Sequence, residues 1–243
     1  MAAIQTQVLI TGANRGLGLE MAQLYAAQPN TNVIACCRTP DTADALTALK
    51  DAGAPVTLEA LDVLDHNAIK ALAERYSETP IDIVISNAGI FGKTQPATTG
   101  FQDQQFGRSD FEADWIMPYR VNVIAAMALA EAFASHIEAS QQKKLVLISS
   151  MVASITNAMG HMFGYAASKA ALNMTARNLA VALKPRGIIV NPIHPGYART
   201  DMSGPQAAIE PIEGAEGVVA QIKEMTLEGS GAFLSYDGRE MAW

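Results

Sequence analysis

The sequence predicts an α/β fold: one domain over residues 1–243, built on a doubly wound, mostly parallel seven-stranded sheet with helices on both faces. Three observations carry this. Near-continuous Val/Ile/Leu runs recur along the chain, as in strands covered on both sides. Segments of helical period separate those runs at a regular pace. The first run passes without a spacer into a glycine-rich turn that opens a helix, the setting in which such a turn binds a dinucleotide.

Composition narrows the field. With 243 residues, 49% hydrophobic and 17% charged, the chain can bury one sizeable core. A formal net charge of −7 and the lack of a basic stripe argue against nucleic acid as a partner. The start, MAAIQTQVLITG, enters a strand-like run at once and lacks the pattern of a secretory signal. No apolar run approaches the ~20 residues a membrane helix needs, so no membrane partner is expected. Cys36 and Cys37 are the sole cysteines and are adjacent, which speaks against a disulfide framework or a metal site and for a reducing, cytoplasmic setting.

Residues 7–10 read as the first strand, followed by Thr11-Gly12-Ala13-Asn14-Arg15-Gly16-Leu17-Gly18 and a helix through Leu19, Met21, Ala22, Leu24 and Tyr25. Glycines let the backbone approach phosphates, and the helix start offers free N–H groups and partial positive charge. The second strand, 31–37, ends in Cys36-Cys37-Arg38-Thr39, where an NAD enzyme would carry an acid for the ribose. Arg38 and Arg15 instead suit a 2′-phosphate, so NADP(H) is expected over NAD(H); the alternative is two solvated surface arginines.

A helix over 41–52 leads to a strand at 56–61. Asp62 and Val63 follow, and Asp62 either meets the adenine ring or caps the next helix. That helix, 66–77, precedes a strand at 81–86 that stops at Asn87-Ala88-Gly89. Residues 91–114 are polar, rich in Gly and Gln and without period, and are expected to form a surface loop poor in chemistry. A helix spans roughly 112–137, begun or interrupted near Pro118; it places Asn122 in an apolar stretch, where an amide needs partners.

The strand 145–148 ends at Ser149-Ser150, at the sheet margin where ligands bind in such folds. The loop Met151 to Gly164 holds Met159, His161, Met162 and Phe163, an apolar set suited to a pocket wall. Tyr165 and Lys169 then stand four apart on a helix through Leu183, hence on one face. An ordinary surface pair would have the same spacing. An ammonium beside the phenol would favour phenolate and lower its pKa toward the working range, making Tyr165 a general acid. Pro185-Arg186-Gly187 ends the helix, a strand covers 188–191, Pro195-Gly196 turn the chain, 203–214 is read as a substrate-side flap, and a helix over 214–227 with a strand near 231–236 completes the sheet.

TGANRGLG, the run Asn87-Ala88-Gly89, the asparagine of Val121-Asn122-Val123, the serine pair and Tyr165-x-x-x-Lys169 together resemble the short-chain dehydrogenase/reductase family, with its Rossmann fold. His194-Pro195-Gly196-Tyr197 through Met202, and the ending from Gly231 to Gly238, closed by Trp243, are similar to the C-factor and sniffer-like carbonyl reductases. The resemblance implies hydride transfer between NADP(H) and a small carbonyl or alcohol substrate, chiefly reduction of a ketone or aldehyde. It implies a catalytic set in which Ser150 bonds the carbonyl oxygen, Tyr165 protonates it and Asn122 holds a water linked to Lys169. Lys169 also holds the nicotinamide ribose.

Gly12, Asn14, Arg15, Gly16, Leu17, Gly18, Arg38, Asp62, Val63, Asn87, Ala88, Gly89, Tyr165, Lys169, Pro195, Gly196 and Thr200 form the implied cofactor set. Ser150 stands 15 residues before Tyr165, longer than the family's usual spacing, and is read with an enlarged substrate loop; Ser149 and Ser154 stay open as alternatives. Helices of relatives matching 121–137 and 165–183 often form a subunit interface, so a homo-oligomer, dimer or tetramer, is expected. A non-catalytic NADP-binding signalling or regulatory protein would keep the glycine turn and could lose the catalytic set. The sugar epimerases and dehydratases that share YxxxK have longer chains with a separate substrate domain.

Overall fold

The computed structural model describes residues 6–101 and 104–243. The first five residues, expected to run straight into a strand without a signal, lie outside that range. Seven strands form one sheet: β1 (Thr6–Thr11), β2 (Thr31–Cys37), β3 (Val56–Ala60), β4 (Ile83–Ser86), β5 (Lys144–Ile148), β6 (Ile189–His194) and β7 (Leu234–Ser235). Their order is β3-β2-β1-β4-β5-β6-β7, and every neighbouring pair is parallel. Chain order reverses direction between β1 and β4, which opens a crevice at their carboxyl ends, the place where ligands bind in sheets of this kind.

Alternation within each strand divides the core in two. On one face Val8, Ile10, Val33 and Ile85 pack under α1 (Gly16–Ala26), α2 (Asp44–Asp51) and a C-terminal helix at Pro211–Glu224. On the other, Leu9, Ile34, Val84 and Leu145 meet α3 (His66–Arg75), α4 (Phe111–Ala139) and α5 (Phe163–Leu183), so the Pro211–Glu224 helix is α6. Both faces of the central strands are therefore dry, which is why they read as unbroken apolar runs.

Several boundaries differ from expectation, each for a local reason. Pro40–Thr42 is a separate 3₁₀ turn ahead of α2. Helix α4 runs straight through Pro118, because wider π turns at Phe111–Ile116 and Arg120–Ile124 flank the residue that cannot donate. Strand β6 continues through Pro192 to His194. Alternate N–H groups point to either neighbour, and the side Pro192 leaves without a donor faces β7, whose pairing starts only at Ile193. Helix α6 starts earlier, at Pro211, a favoured first position.

By length and composition α4 is also a run apolar enough to cross a bilayer, contrary to the expectation that none approaches that length. Here Ala126, Leu129, Ala130, Phe133 and Ile137 of that helix are core residues. After β7 the chain turns on the Asp237–Arg239 pair and returns antiparallel. Ser235 donates to the Arg239 carbonyl and Met241 to that of Phe233. The returning segment ends with Trp243 against Phe233, ring centroids 5.7 Å apart.

Candidate active site

The glycine turn closes the β1–α1 junction and is braced from β4. Asn87 Nδ2 donates to the carbonyls of Thr11 and Gly12 at 2.9 and 3.1 Å. The Thr11 hydroxyl accepts the backbone N–H groups of Asn87 and Ala88, both at 3.1 Å. Gly12 sits at φ +66°, and a Cβ on Gly18 would lie 2.6 Å from Asn87 Nδ2 and closer still to the Gly12 carbonyl. Only residues without side chains allow the two ends to meet so tightly.

Around this turn one cleft collects most of the expected cofactor residues. Gly12, Asn14, Arg15, Gly16, Leu17, Gly18, Arg38, Asp62, Val63, Asn87, Ala88 and Gly89 border it from one side of the crevice, with Tyr165, Lys169, Pro195 and Thr200 from the other. Thr200 reaches over the glycine turn, since a Cβ on Gly16 would touch its methyl carbon at 3.3 Å. Asp62 accepts from Leu64 N, while Asp65 caps α3 by accepting from Asn67 and Ala68, so capping falls to Asp65 and not to Asp62. Arg38 forms no ion pair among the described residues, whereas Arg15 is held by Asp201 at 2.9 Å across the cleft mouth. Gly196 departs from expectation: it does not border the cleft but shapes the turn beside Tyr236 and Ile209, at φ +82°.

The expected catalytic side chains gather at the carboxyl end of β5. Ser150 caps the 3₁₀ turn Met151–Ala153 by accepting from Val152 N, and its hydroxyl acts to lower the pKa of the Tyr165 phenol. The two alternative serines have other hydrogen-bond partners, although Ser149 borders the cleft. Ser149 donates to Asn173 Oδ1 at 2.6 Å, and Ser154 bonds the Trp243 carbonyl and Asn157. Thr156 adds two bonds to that carbonyl, from its N–H at 2.8 Å and its hydroxyl at 2.6 Å, fastening the tail to the loop after Ser150.

Lys169 is 5% exposed; its Nζ donates to the Ile148 carbonyl at 2.8 Å and lies 5.9 Å from the centroid of the Tyr165 ring. Burial holds its pKa down to about 8 and pushes that of Tyr165 up to about 12, against the opposing bond from Ser150. The expected lowering of the tyrosine by the lysine is not found: burial sets the direction, opposed by Ser150, and the phenol stays protonated at neutral pH.

Asn122 lies in the second π turn of α4, 2% exposed. Its amide accepts from Ile90 N at 2.9 Å and donates to Ile90 O and to Ser168 Oγ, both at 3.0 Å. Ser168 in turn donates to the Tyr165 carbonyl at 2.7 Å, so Asn122 ties α4, the segment after β4 and α5 together. His161 stacks on Phe101 with centroids 5.2 Å apart, and Met162 is buried while Met159 is exposed.

Four contributors escaped the sequence. Thr11 and Ser168 lie inside recognisable motifs, and only hydrogen-bond partners distinguish them from filler. Gln104 and Asp114 fall in the segment expected to be a surface loop poor in chemistry, yet each is 1% exposed. No apolar period marks them: Gln104 lies in irregular backbone, and Asp114 is a polar residue in the π turn that opens α4. Among the described residues no cluster of three His, Cys, Asp or Glu side chains is placed for a metal.

The family model for short chain dehydrogenases matches residues 6–210. The chain is 28% identical over 176 residues to the C-signal protein of Myxococcus xanthus, covering 72% of this chain and 100% of that one. Among solved structures it is similar to the carbonyl reductase Sniffer of D. melanogaster, with TM-score 0.89 and 25% identity over 98% of this chain and 100% of that one. It is also similar to the NADPH-bound carbonyl reductase from chicken fatty liver, with TM-score 0.87 and 31% identity, covering 98% of this chain and 99% of that one.

Proposed function

We propose, since the chain belongs to the short-chain dehydrogenase family, that it is an NADPH-dependent reductase of a ketone or aldehyde with Tyr165 as general acid. The observation that carries this reading is the meeting of Tyr165 and Lys169 beside a glycine turn, in a cleft that Arg38 also borders, Arg38 having no ion pair among the described residues. Ser150 stands next to the cleft residue Ser149 and bears on the Tyr165 phenol. The site fits the cofactor. The side-chain-free turn admits a pyrophosphate against the start of α1, and Arg38 offers a fork for a 2′-phosphate. The NADPH bound by the chicken carbonyl reductase supports the same choice.

When bound, NADPH supplies the hydride for the carbonyl carbon. The chain's own groups do the rest. Ser150 donates a hydrogen bond to the substrate oxygen and orients it toward Tyr165. The protonated phenol gives its proton to that oxygen, leaving an alcohol and a tyrosinate. Lys169, whose Nζ is anchored on Ile148, keeps two further N–H groups for the nicotinamide ribose and places positive charge near the tyrosinate. A phenol held at about 12 is in the protonated state that donation requires at neutral pH. Asn122 holds the helix turn that carries this set and supports the route by which the tyrosinate regains its proton.

The test is turnover of a panel of ketones, aldehydes and quinones with NADPH, in wild type and Tyr165→Phe. Loss of rate by ~10²–10⁴-fold in the variant, with NADPH binding retained, is expected. Wild-type turnover in that variant refutes the mechanism, and tight NADPH binding without any turnover by the native protein would favour the signalling alternative.

Self-association is part of the same reading. A groove between α4 and α5 is lined by Val123, Ile124, Met127 and Leu179, with Ile124 and Met127 partly exposed. Sedimentation of wild type against Met127→Glu checks it, and a monomer at micromolar concentration in both refutes it.

A further inference from the structure

We propose that Gln104 is a positioning residue for Tyr165, holding both its backbone and its ring. The proposal rests on Tyr165 as the general acid, but its own evidence is geometric. Helix α5 starts at Phe163 behind Met162, which sits in the left-handed region at φ 57° and supplies no side-chain cap. The first N–H groups of such a helix have no partner within it. That of Tyr165 is one of them, and it donates to Gln104 Oε1 at 3.0 Å, across 61 residues of sequence.

The same amide works in the other direction. Gln104 Nε2 donates to the Phe91 carbonyl at 2.7 Å, and the Phe91 ring lies against that of Tyr165 with centroids 4.9 Å apart. One buried side chain therefore fixes the backbone that carries the phenol and the aromatic surface that limits its swing. Its surroundings are tight. A Cβ on Gly92 would lie 2.5 Å from Gln104 Nε2 and from Asp114 Oδ1. Asp114 itself accepts from Lys93 N and Asp110 N, at 2.8 and 2.9 Å, closing the loop around the glutamine. A buried amide satisfied at both ends has one orientation, and removing it strands a donor and an acceptor at once.

The arrangement has a chemical consequence. Proton donation depends on where the phenol oxygen sits, and a displacement of about 1 Å can cost ~10²-fold in rate. Gln104 touches neither substrate nor cofactor by this reading, so its loss should lower kcat while leaving NADPH binding intact. A Glu in its place, kept protonated by burial, retains an acceptor for the Tyr165 N–H and an O–H for the Phe91 carbonyl, whereas an ionised one would set two oxygens against each other there.

The experiment compares wild type, Gln104→Leu and Gln104→Glu by kcat and KM for one carbonyl substrate, NADPH Kd, thermal melting, and hydrogen exchange of the Tyr165 amide. The expected result for Gln104→Leu is a kcat reduced by up to ~10²-fold, unchanged NADPH Kd and faster exchange at Tyr165. Gln104→Glu should recover most of the turnover and the slow exchange. Unchanged kcat or unchanged Tyr165 exchange in Gln104→Leu overturns the proposal, as does a Gln104→Glu variant no better than Leu. If Gln104→Leu fails to fold, the Glu variant, which keeps the bond to Tyr165, decides through the same exchange measurement. Should the native protein reduce no carbonyl, the reading of Tyr165 as an acid fails, while exchange still decides whether Gln104 holds its amide.

Discussion

Replacing Lys169 by methionine should destroy activity and yet make the protein more stable at neutral pH. Burial holds the ammonium's pKa at about 8 against an ordinary 10.5, so keeping it charged at pH 7 costs about 3 kcal/mol of folding free energy. Methionine is close in length and apolar, but it leaves the Ile148 carbonyl without the donor now 2.8 Å away, a loss of about 1 kcal/mol. The net gain of about 2 kcal/mol corresponds to a rise in Tm of roughly 4–8 °C for a chain of this size.

The sign is set by linkage. The folded pKa lies below the unfolded one, so between about 8 and 10.5 the unfolded chain binds more protons and native stability rises with pH. The advantage of the variant should therefore be full at pH 7, shrink through that window and reverse by about 1 kcal/mol above it, where neutral lysine still bonds Ile148. Melting curves for both proteins at pH 7, 9 and 10.5 measure it, and taking their difference cancels the other groups. A variant less stable at pH 7, or a gap that ignores pH, refutes the burial argument.

Other expectations follow from the same geometry. Arg38→Ser should cut the preference for NADPH over NADH by about 10–100-fold in Kd, the worth of one charge-assisted bond; an unchanged ratio would make Arg38 a solvated residue. Gly18→Ala should weaken cofactor binding and stability together, because its methyl carbon would lie 2.6 Å from Asn87 Nδ2; native-like NADPH affinity would contradict this. Burial lowers His194 to about 4, against the pull of Asp237, so its contribution is present above about pH 6.5 and is lost as pH falls toward 4. Acid melts of His194→Leu should accordingly be flatter over that window than those of wild type, and parallel curves would discount the histidine. Thr156→Val, which removes the hydroxyl bonded to the Trp243 carbonyl at 2.6 Å, should lower stability by about 1 kcal/mol without affecting NADPH affinity, as calorimetry would show.

What the sequence disclosed and what it hid divide along physical lines. The strands and the glycine turn were readable because burial on both faces demands unbroken Val/Ile/Leu runs, and because β1 leads directly into Gly12. The Tyr165–Lys169 pair was readable because four-residue spacing fixes a helix face. The electrostatics of that pair was not, since spacing carries no information about desolvation, and desolvation sets both shifts here. Gln104 was hidden for a different reason: its partners are 13 and 61 residues away in an aperiodic stretch, and only the folded chain brings them within bonding distance. Pro118 and Pro192 misled in opposite places, one absorbed by π turns and one by a short neighbouring strand.

The returning tail beyond β7 gives the sheet a finished margin. An edge strand exposes a row of donors and acceptors on which another chain can build, and two residues of β7 alone would leave such a row open. The N–H of Ser235 and the carbonyl of Phe233 are taken by Arg239 and Met241, so a strand arriving from a second molecule finds that register occupied. Growth of the sheet from protein to protein is thus blocked in this register on the β7 side by the returning segment, and β3 forms the sheet's other margin.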